Sequence, residues 1–248
     1  MQRITRHTPP LTGLTAEEAQ EGFILCVDKP LTWTSFNLVS KAKYPLLRRL
    51  RLRKLKVGHA GTLDPLATGV MLLSVGRATK LIEELQAGYK EYTATLRLGA
   101  TTPSFDLEHE IDATFSIEHI TREMIEATLP QFIGHIDQVP PTFSACKIQG
   151  KRAYDLARAG QEAILSPKTI HIEDIQLLDF TPPLLRLHVR CGKGTYIRSL
   201  ARDLGQALHS GAHLTELRRT RVGDVHVDDC LTLDALQQWI DDTLPRTS

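Results

Sequence analysis

The sequence predicts a mixed α/β fold of the α+β kind, a central, mostly antiparallel sheet flanked by helices, and three observations support it. Tyr92, Ala94, Leu96 and Leu98 alternate with Thr93, Thr95 and Arg97, the period of a half-buried strand. Leu185, Leu187 and Val189 alternate in the same way with Arg186, His188 and Arg190, giving a second strand with a basic outer face. Helical patterns at residues 122–132 and 196–209 are interspersed with such strands without a regular strand-helix repeat, which disfavours a doubly wound parallel sheet.

Residues 1–21 carry Pro9, Pro10 and Gly13 with no sustained period and are expected to form a loosely held lead-in. Residues 22–248 are expected to form one domain. Its first strand is the apolar run 23–27, which Pro30 terminates. Ser35 is placed to cap a helix with Phe36 and Val39 on one face. The continuation of that helix is basic: residues 41–56 hold eight Lys or Arg and no acid. Residues 141–167, rich in Gly, Lys and Arg around a short helical stretch at 152–159, are expected to be an excursion from the main body. The helix at 196–209 stops near Gly211. No internal repeat is present.

With 42% hydrophobic and 24% charged residues, the 248-residue chain has the composition of a soluble globular protein. A net charge of +1 excludes a uniformly basic protein of the histone kind. Cys26, Cys146, Cys191 and Cys230 are scattered without a CxxC pair, so neither a zinc ribbon nor a disulfide framework is indicated. The first residues contain no signal-peptide core, and no run approaches the ~18 apolar residues of a membrane span, so a cytoplasmic location is expected.

The segment Gly58-His59-Ala60-Gly61-Thr62-Leu63-Asp64-Pro65-Leu66-Ala67-Thr68-Gly69 combines glycines, a proline and a single carboxylate. Glycine permits positive φ and close backbone approach, while Pro65 keeps Asp64 out of the helical region, so this is a shaped loop. Chemistry at Asp64 would be that of a lone carboxylate, because no His, Cys or second acid stands nearby at metal-ligand spacing. A tight turn with a capping Asp explains the same residues. The run Asp106, Glu108, Glu110 and Asp112 alternates strictly and reads as a solvated face of an extended segment more readily than as a cation site.

Cys191-Gly192-Lys193-Gly194-Thr195-Tyr196-Ile197-Arg198 resembles a phosphate loop, but Leu187 and Gly194 occupy positions where that motif needs Gly and Ser or Thr. Arg198, in the first turn of the following helix, is unfavourably placed against the dipole unless a carboxylate or phosphate faces it; a plain surface Arg is the alternative. Basic residues recur at 41–56, at Lys147, Lys151, Arg152 and Arg158, at Arg190, Lys193, Arg198 and Arg202, and at Arg218, Arg219 and Arg221, while acids concentrate at 224–242. Charge segregated under a near-neutral total is what a nucleic-acid enzyme with one basic face shows.

Over residues 22–236 the chain resembles the TruB family of tRNA pseudouridine-55 synthases. The resemblance rests on ordered motifs: Asp28-Lys29-Pro30 with Trp33-Thr34-Ser35, the 58–69 loop, Lys90-Glu91-Tyr92, Pro140-Pro141 through Ser144-Ala145 to Lys147, Arg152-Ala153-Tyr154, residues 194–198, and Leu217-Arg218-Arg219. It implies the pseudouridine synthase fold and the isomerisation of uridine 55 in the T-loop of tRNA.

By that resemblance Asp64 is the catalytic aspartate, Arg198 the arginine that pairs with it, and Tyr92 the tyrosine that stacks on the target base and removes its C5 proton. Tyr196 and Leu217 line the pocket, and His59 occupies space near the displaced nucleotide. Lys29, Lys147, Lys151 and Arg152 bind the RNA, the last three from a mobile thumb at 141–167. No cofactor or metal is implied, because the uracil leaves and rejoins the same sugar; a monomer acting on the tRNA T-arm is expected. Many relatives carry a C-terminal PUA domain, and too few residues follow Leu236 to build one, so affinity for tRNA is expected to rest on the catalytic domain. The rival classes are an RNA-binding protein without chemistry and a nucleotide enzyme.

Overall fold

The computed structural model describes residues 1–11, 13–144, 147–148, 151–152 and 165–244. In chain order the elements are β1 (Arg3–Ile4), α1 (Ala16–Glu21), β2 (Ile24–Lys29), α2 (Ser35–Arg49), β3 (Val57–His59), β4 (Ala67–Val75), α3 (Ile82–Ala87), β5 (Lys90–Leu98), β6 (Ala100–Thr101), β7 (Ala113–Thr114) and α4 (Arg122–Thr128). There follow β8 (Gly134–Gln138), β9 (Lys147–Ile148), β10 (Lys151–Arg152), β11 (Lys168–Thr181), β12 (Leu184–Cys191), α5 (Ile197–Ala207), β13 (Ala212–Val222), β14 (Val225–His226) and α6 (Leu233–Thr243). They fall into two compact units, Met1–Lys90 with Arg218–Ser248, and Glu91–Leu217.

In the first unit the strand order is β1-β2-β4-β13, with β3 also on β4 and β14 on β13. β1 runs parallel to β2, and β2 and β3 are antiparallel to β4. Ile24, Cys26, Ala60, Val70, Leu72, Val222 and Val225 are among the residues of one buried cluster here. The expected lead-in at 1–21 holds β1 and α1, whose N-cap Thr15 and Glu18 bond each other's backbone in a capping box.

Thr34, not Ser35, caps α2, in a reciprocal arrangement with Asn37. The helix buries Ser35, Leu38, Val39, Ala42 and Leu46, so Phe36 does not share the face of Val39 and stands 71% exposed. α6 docks on α2: Lys41 Nζ donates to Gln237 Oε1 at 2.7 Å, and Arg49 donates to the Ile240 carbonyl at 3.1 Å and pairs with Asp241.

The second unit orders its strands β13-β5-β12-β11-β8, with β6–β7 as a separate pair. The expected alternation of β5 is observed, with Tyr92, Ala94, Leu96 and Leu98 buried. The outer face of β12 is basic and partly paired: Arg190 Nε lies 2.6 Å from Glu173 and His188 lies 3.5 Å from Glu91, while Arg186 is exposed. The 122–132 helix stops at Thr128 and continues as a 3-10 turn over Leu129–Phe132, because Pro130 cannot donate to an α-helical bond. α5 buries Ile197, Leu200, Ala201 and Leu204, an i, i+3, i+4, i+7 stripe.

Candidate active site

The loop joining β3 to β4 carries Asp64 as the first residue of a turn closed by the Ala67 amide on the Asp64 carbonyl at 3.0 Å. Pro65 sits where its fixed φ suits such a turn. The surrounding backbone is held from inside. Ser35 Oγ donates to the Leu63 carbonyl and accepts from the Leu63 amide, both at 3.0 Å. Arg219, 1% exposed, donates to the carbonyls of Val70 at 2.8 Å, Gly61 at 3.2 Å and Thr62 at 3.4 Å. Lys29, fully buried, donates to Trp33 at 2.7 Å, Pro30 at 2.9 Å and Pro65 at 3.4 Å. The backbone on both sides of the half-buried Asp64 is thus fixed by two cations and a hydroxyl.

Burial pushes the Lys29 ammonium down to about 8, against the attraction of Asp64 and Asp28 and with the repulsion of Arg219. Lys29, expected to bind substrate, is spent on loop carbonyls. Arg218 and Arg219, read as part of a basic RNA face, are likewise engaged: Arg218 binds Asp28 at 2.7 Å and Thr68 at 3.2 Å. His59, half-buried at the end of β3, is held below its ordinary pKa by burial and by the Arg219 charge, opposed by the Gly61 backbone.

In the second unit Arg198, 4% exposed, donates through Nη1 to the Ser104 carbonyl at 3.2 Å and through Nη2 to the Phe143 carbonyl at 2.9 Å. Its Nε lies 3.6 Å from Asp106 Oδ2. The anionic partner expected for a cation in a helix's first turn is therefore partly supplied by Asp106. Residues 102–112 are turns and bends rather than the extended segment that strict alternation suggested, which puts Asp106 inside and Glu108, Glu110 and Asp112 outside. No cluster of three potential metal ligands occurs among the described residues.

Tyr196 is the N-cap of α5, and buried Gln138 clamps its backbone in both directions, accepting from the Tyr196 amide at 2.9 Å and donating to its carbonyl at 3.2 Å. Tyr92 lies on the buried face of β5 and Leu217 is half-buried. Lys147, Lys151 and Arg152 lie on the antiparallel pair β9–β10, with Arg152 opposite Lys147. Their side chains, residues 145–146, 149–150 and 153–164 of the expected thumb, and with them the expected helix beyond Arg152, lie outside the described residues. Gln138 was not singled out from sequence; Ser35 was read as a helix cap, Asp106 as one acid of a solvated run, and Arg219 as one of a group of basic residues.

Residues 48–197 match the family model of the TruB family pseudouridylate synthase N-terminal domain, and residues 198–247 that of the tRNA pseudouridylate synthase B C-terminal domain. These matches define the class of protein, a pseudouridylate synthase. Relatives called tRNA pseudouridine synthase B are 61% identical in Phocaeicola vulgatus, over 90% of this chain and 94% of that protein, and 50% identical in Flavobacterium johnsoniae, over 91% and 99%. The chain belongs to the TruB family. Among solved structures, a chain of a Cbf5-Nop10-Gar1 complex is similar with a TM-score of 0.64 at 27% identity, over 93% of this chain and 56% of that one. An H/ACA RNP bound to a substrate RNA containing 2′-deoxyuridine gives 0.62 at 27%, over 95% and 62%. The chain spans less than two thirds of both.

Proposed function

We propose that this enzyme converts uridine to pseudouridine in tRNA, at position 55 of the T-loop, as a cytoplasmic monomer that recognises the T-arm. In the reaction the N1–C1′ bond breaks, the uracil turns, C5 joins C1′, and the C5 proton is lost while N1 gains one. Asp64 is the catalytic carboxylate, Arg198 holds it ionised and aimed, and Tyr92 stacks on the base and takes the C5 proton. His59, Tyr196 and Leu217 shape the pocket, and Lys147, Lys151 and Arg152 bind the RNA from a closing thumb. Lys29 acts on substrate through the loop it holds.

The observation that supports this reading is the fixation of the Asp64 turn. A carboxylate that must meet one sugar or base atom of an extruded nucleotide gains rate from being placed before substrate arrives. The grip of Ser35, Arg219 and Lys29 on Gly61, Thr62, Leu63 and Pro65 supplies that placement. The test is tritium release from a T-arm stem-loop labelled at uridine C5. Wild type releases tritium and Asp64→Asn does not; release by the variant would remove Asp64 from the chemistry. Binding without release by either protein would favour an RNA-binding role.

A further inference from the structure

We infer that α2 and the segment following it form a second RNA-contact surface beside the Asp64 loop, at which cations bind phosphates and two exposed aromatics stack on unpaired bases of the substrate tRNA. The inference rests on the tRNA reading above. No Asp or Glu occurs between Asp28 and Asp64, whereas eight Lys or Arg occupy residues 41–56. Arg49 pairs with Asp241 and Lys41 bonds Gln237. Lys43, Arg48, Arg51, Arg53, Lys54 and Lys56 have no carboxylate partner among the described residues, and all but Lys43 are exposed. Six cations held together without counter-charge repel one another, an arrangement that a polyanion relieves.

The aromatics separate RNA from a merely solvated basic face. Phe36 is 71% exposed and Tyr44 63%. Eight residues apart on one helix, they stand about 80° apart around its axis, both on its outward side, and about 12 Å from each other along it. That side is opposite the stripe of Leu38, Val39, Ala42 and Leu46 which packs inward. Exposed aromatic rings among unpaired cations are the elements of a sequence-tolerant single-strand platform. The surface is also tied to the candidate site: Ser35, next to Phe36, bonds Leu63, next to Asp64, and the Thr32 amide donates to Pro65 at 2.8 Å.

The experiment measures the Kd of a labelled, unmodified tRNA transcript by fluorescence anisotropy between about 50 and 200 mM salt. The proteins are wild type, the triple variant Arg51→Ala/Arg53→Ala/Lys54→Ala, the double variant Phe36→Ala/Tyr44→Ala, and Arg122→Ala, whose cation already pairs with Glu126. The triple variant flattens the slope of log Kd against log salt by about 2 and weakens binding tenfold or more, at ~0.7–0.9 per phosphate contact. The double variant weakens binding roughly fivefold or more with the slope retained, and Arg122→Ala matches wild type. Triple- and double-variant constants within twofold of wild type overturn the inference and leave this face to a protein or lipid partner. Tritium release by wild type is followed in parallel. Its absence, with the affinity losses present, defeats the isomerase reading alone; its presence, with affinities unchanged, defeats this inference alone.

Discussion

Arg198 and Asp106 form an ion pair in which both side chains are less than a tenth exposed, with Nε 3.6 Å from Oδ2. The Ser104 and Phe143 carbonyls take the Nη atoms, so three acceptors from separate loop positions fix the plane of the guanidinium. Asp106→Asn keeps the shape and removes the charge, leaving a buried cation less compensated. Breaking a buried ion pair costs about 3–5 kcal/mol of stability, so the Tm is expected to fall, and kcat with it as the guanidinium loses its orientation, with KM changed less. Equal kcat in the variant would show that Asp106 serves folding only.

Lys29 gives a pH signature with a definite sign. Its folded pKa is pushed down to about 8 by burial, below the unfolded value near 10.4. Between these values the unfolded chain binds more protons, so the Lys29 contribution to stability rises with pH and is lost as pH falls through about 8. Denaturant unfolding of wild type minus Lys29→Met from pH 7.5 to 10 is expected to show a difference that grows with pH, by up to roughly 3 kcal/mol. Lys29→Met is also less stable throughout, because the Trp33, Pro30 and Pro65 carbonyls lose their donor.

The strands with a clean period of two, β5 and β12, were legible in the sequence because one face of each is buried and the other is not. The Asp64 loop was legible because glycine and proline mark unusual backbone. The side chains that hold it were not. Ser35 looked like a helix cap, since its neighbour Thr34 offers the same chemistry one residue earlier and only tertiary contact with Leu63 decides between them. Asp106 sat in an alternating acidic run whose period mimics a strand, whereas turns at 102–112 bury one acid and expose the others. Arg219 read as one cation of a basic face because nothing local reports that the carbonyls it serves lie up to 158 residues away.

The adjacent hydroxyls separate a cap from a positioning contact. Thr34→Ala removes the acceptor for the Asn37 amide and is expected to cost about 1 kcal/mol of stability, with kcat close to wild type. Ser35→Ala removes both bonds to Leu63 from a buried site, costing about 1–3 kcal/mol. Because those bonds set the residue before Asp64, kcat is expected to fall severalfold as well. Melting curves and single-turnover rates on the two variants check this; equal kcat would mean that Ser35 contributes stability alone.

Gly69 and Gly194 both have positive φ, +109° and +85°, but differ in what a methyl group would meet. At Gly194 nothing lies within 4 Å, so Gly194→Ala bears only the backbone penalty of about 1–2 kcal/mol. At Gly69 a Cβ would stand 2.1 Å from the Arg219 carbonyl oxygen and 2.7 Å from its nitrogen, so β4 or β13 must shift. That shift moves the backbone from which Arg219 reaches Gly61 and Thr62, and with it the turn that carries Asp64. Gly69→Ala is therefore expected to lower the Tm well beyond Gly194→Ala and to reduce tritium release by an order of magnitude or more in the protein that remains folded. Release normalised to the folded fraction decides the point: a rate per folded molecule equal to wild type would show that the Arg219 grip on the loop is dispensable for the reaction.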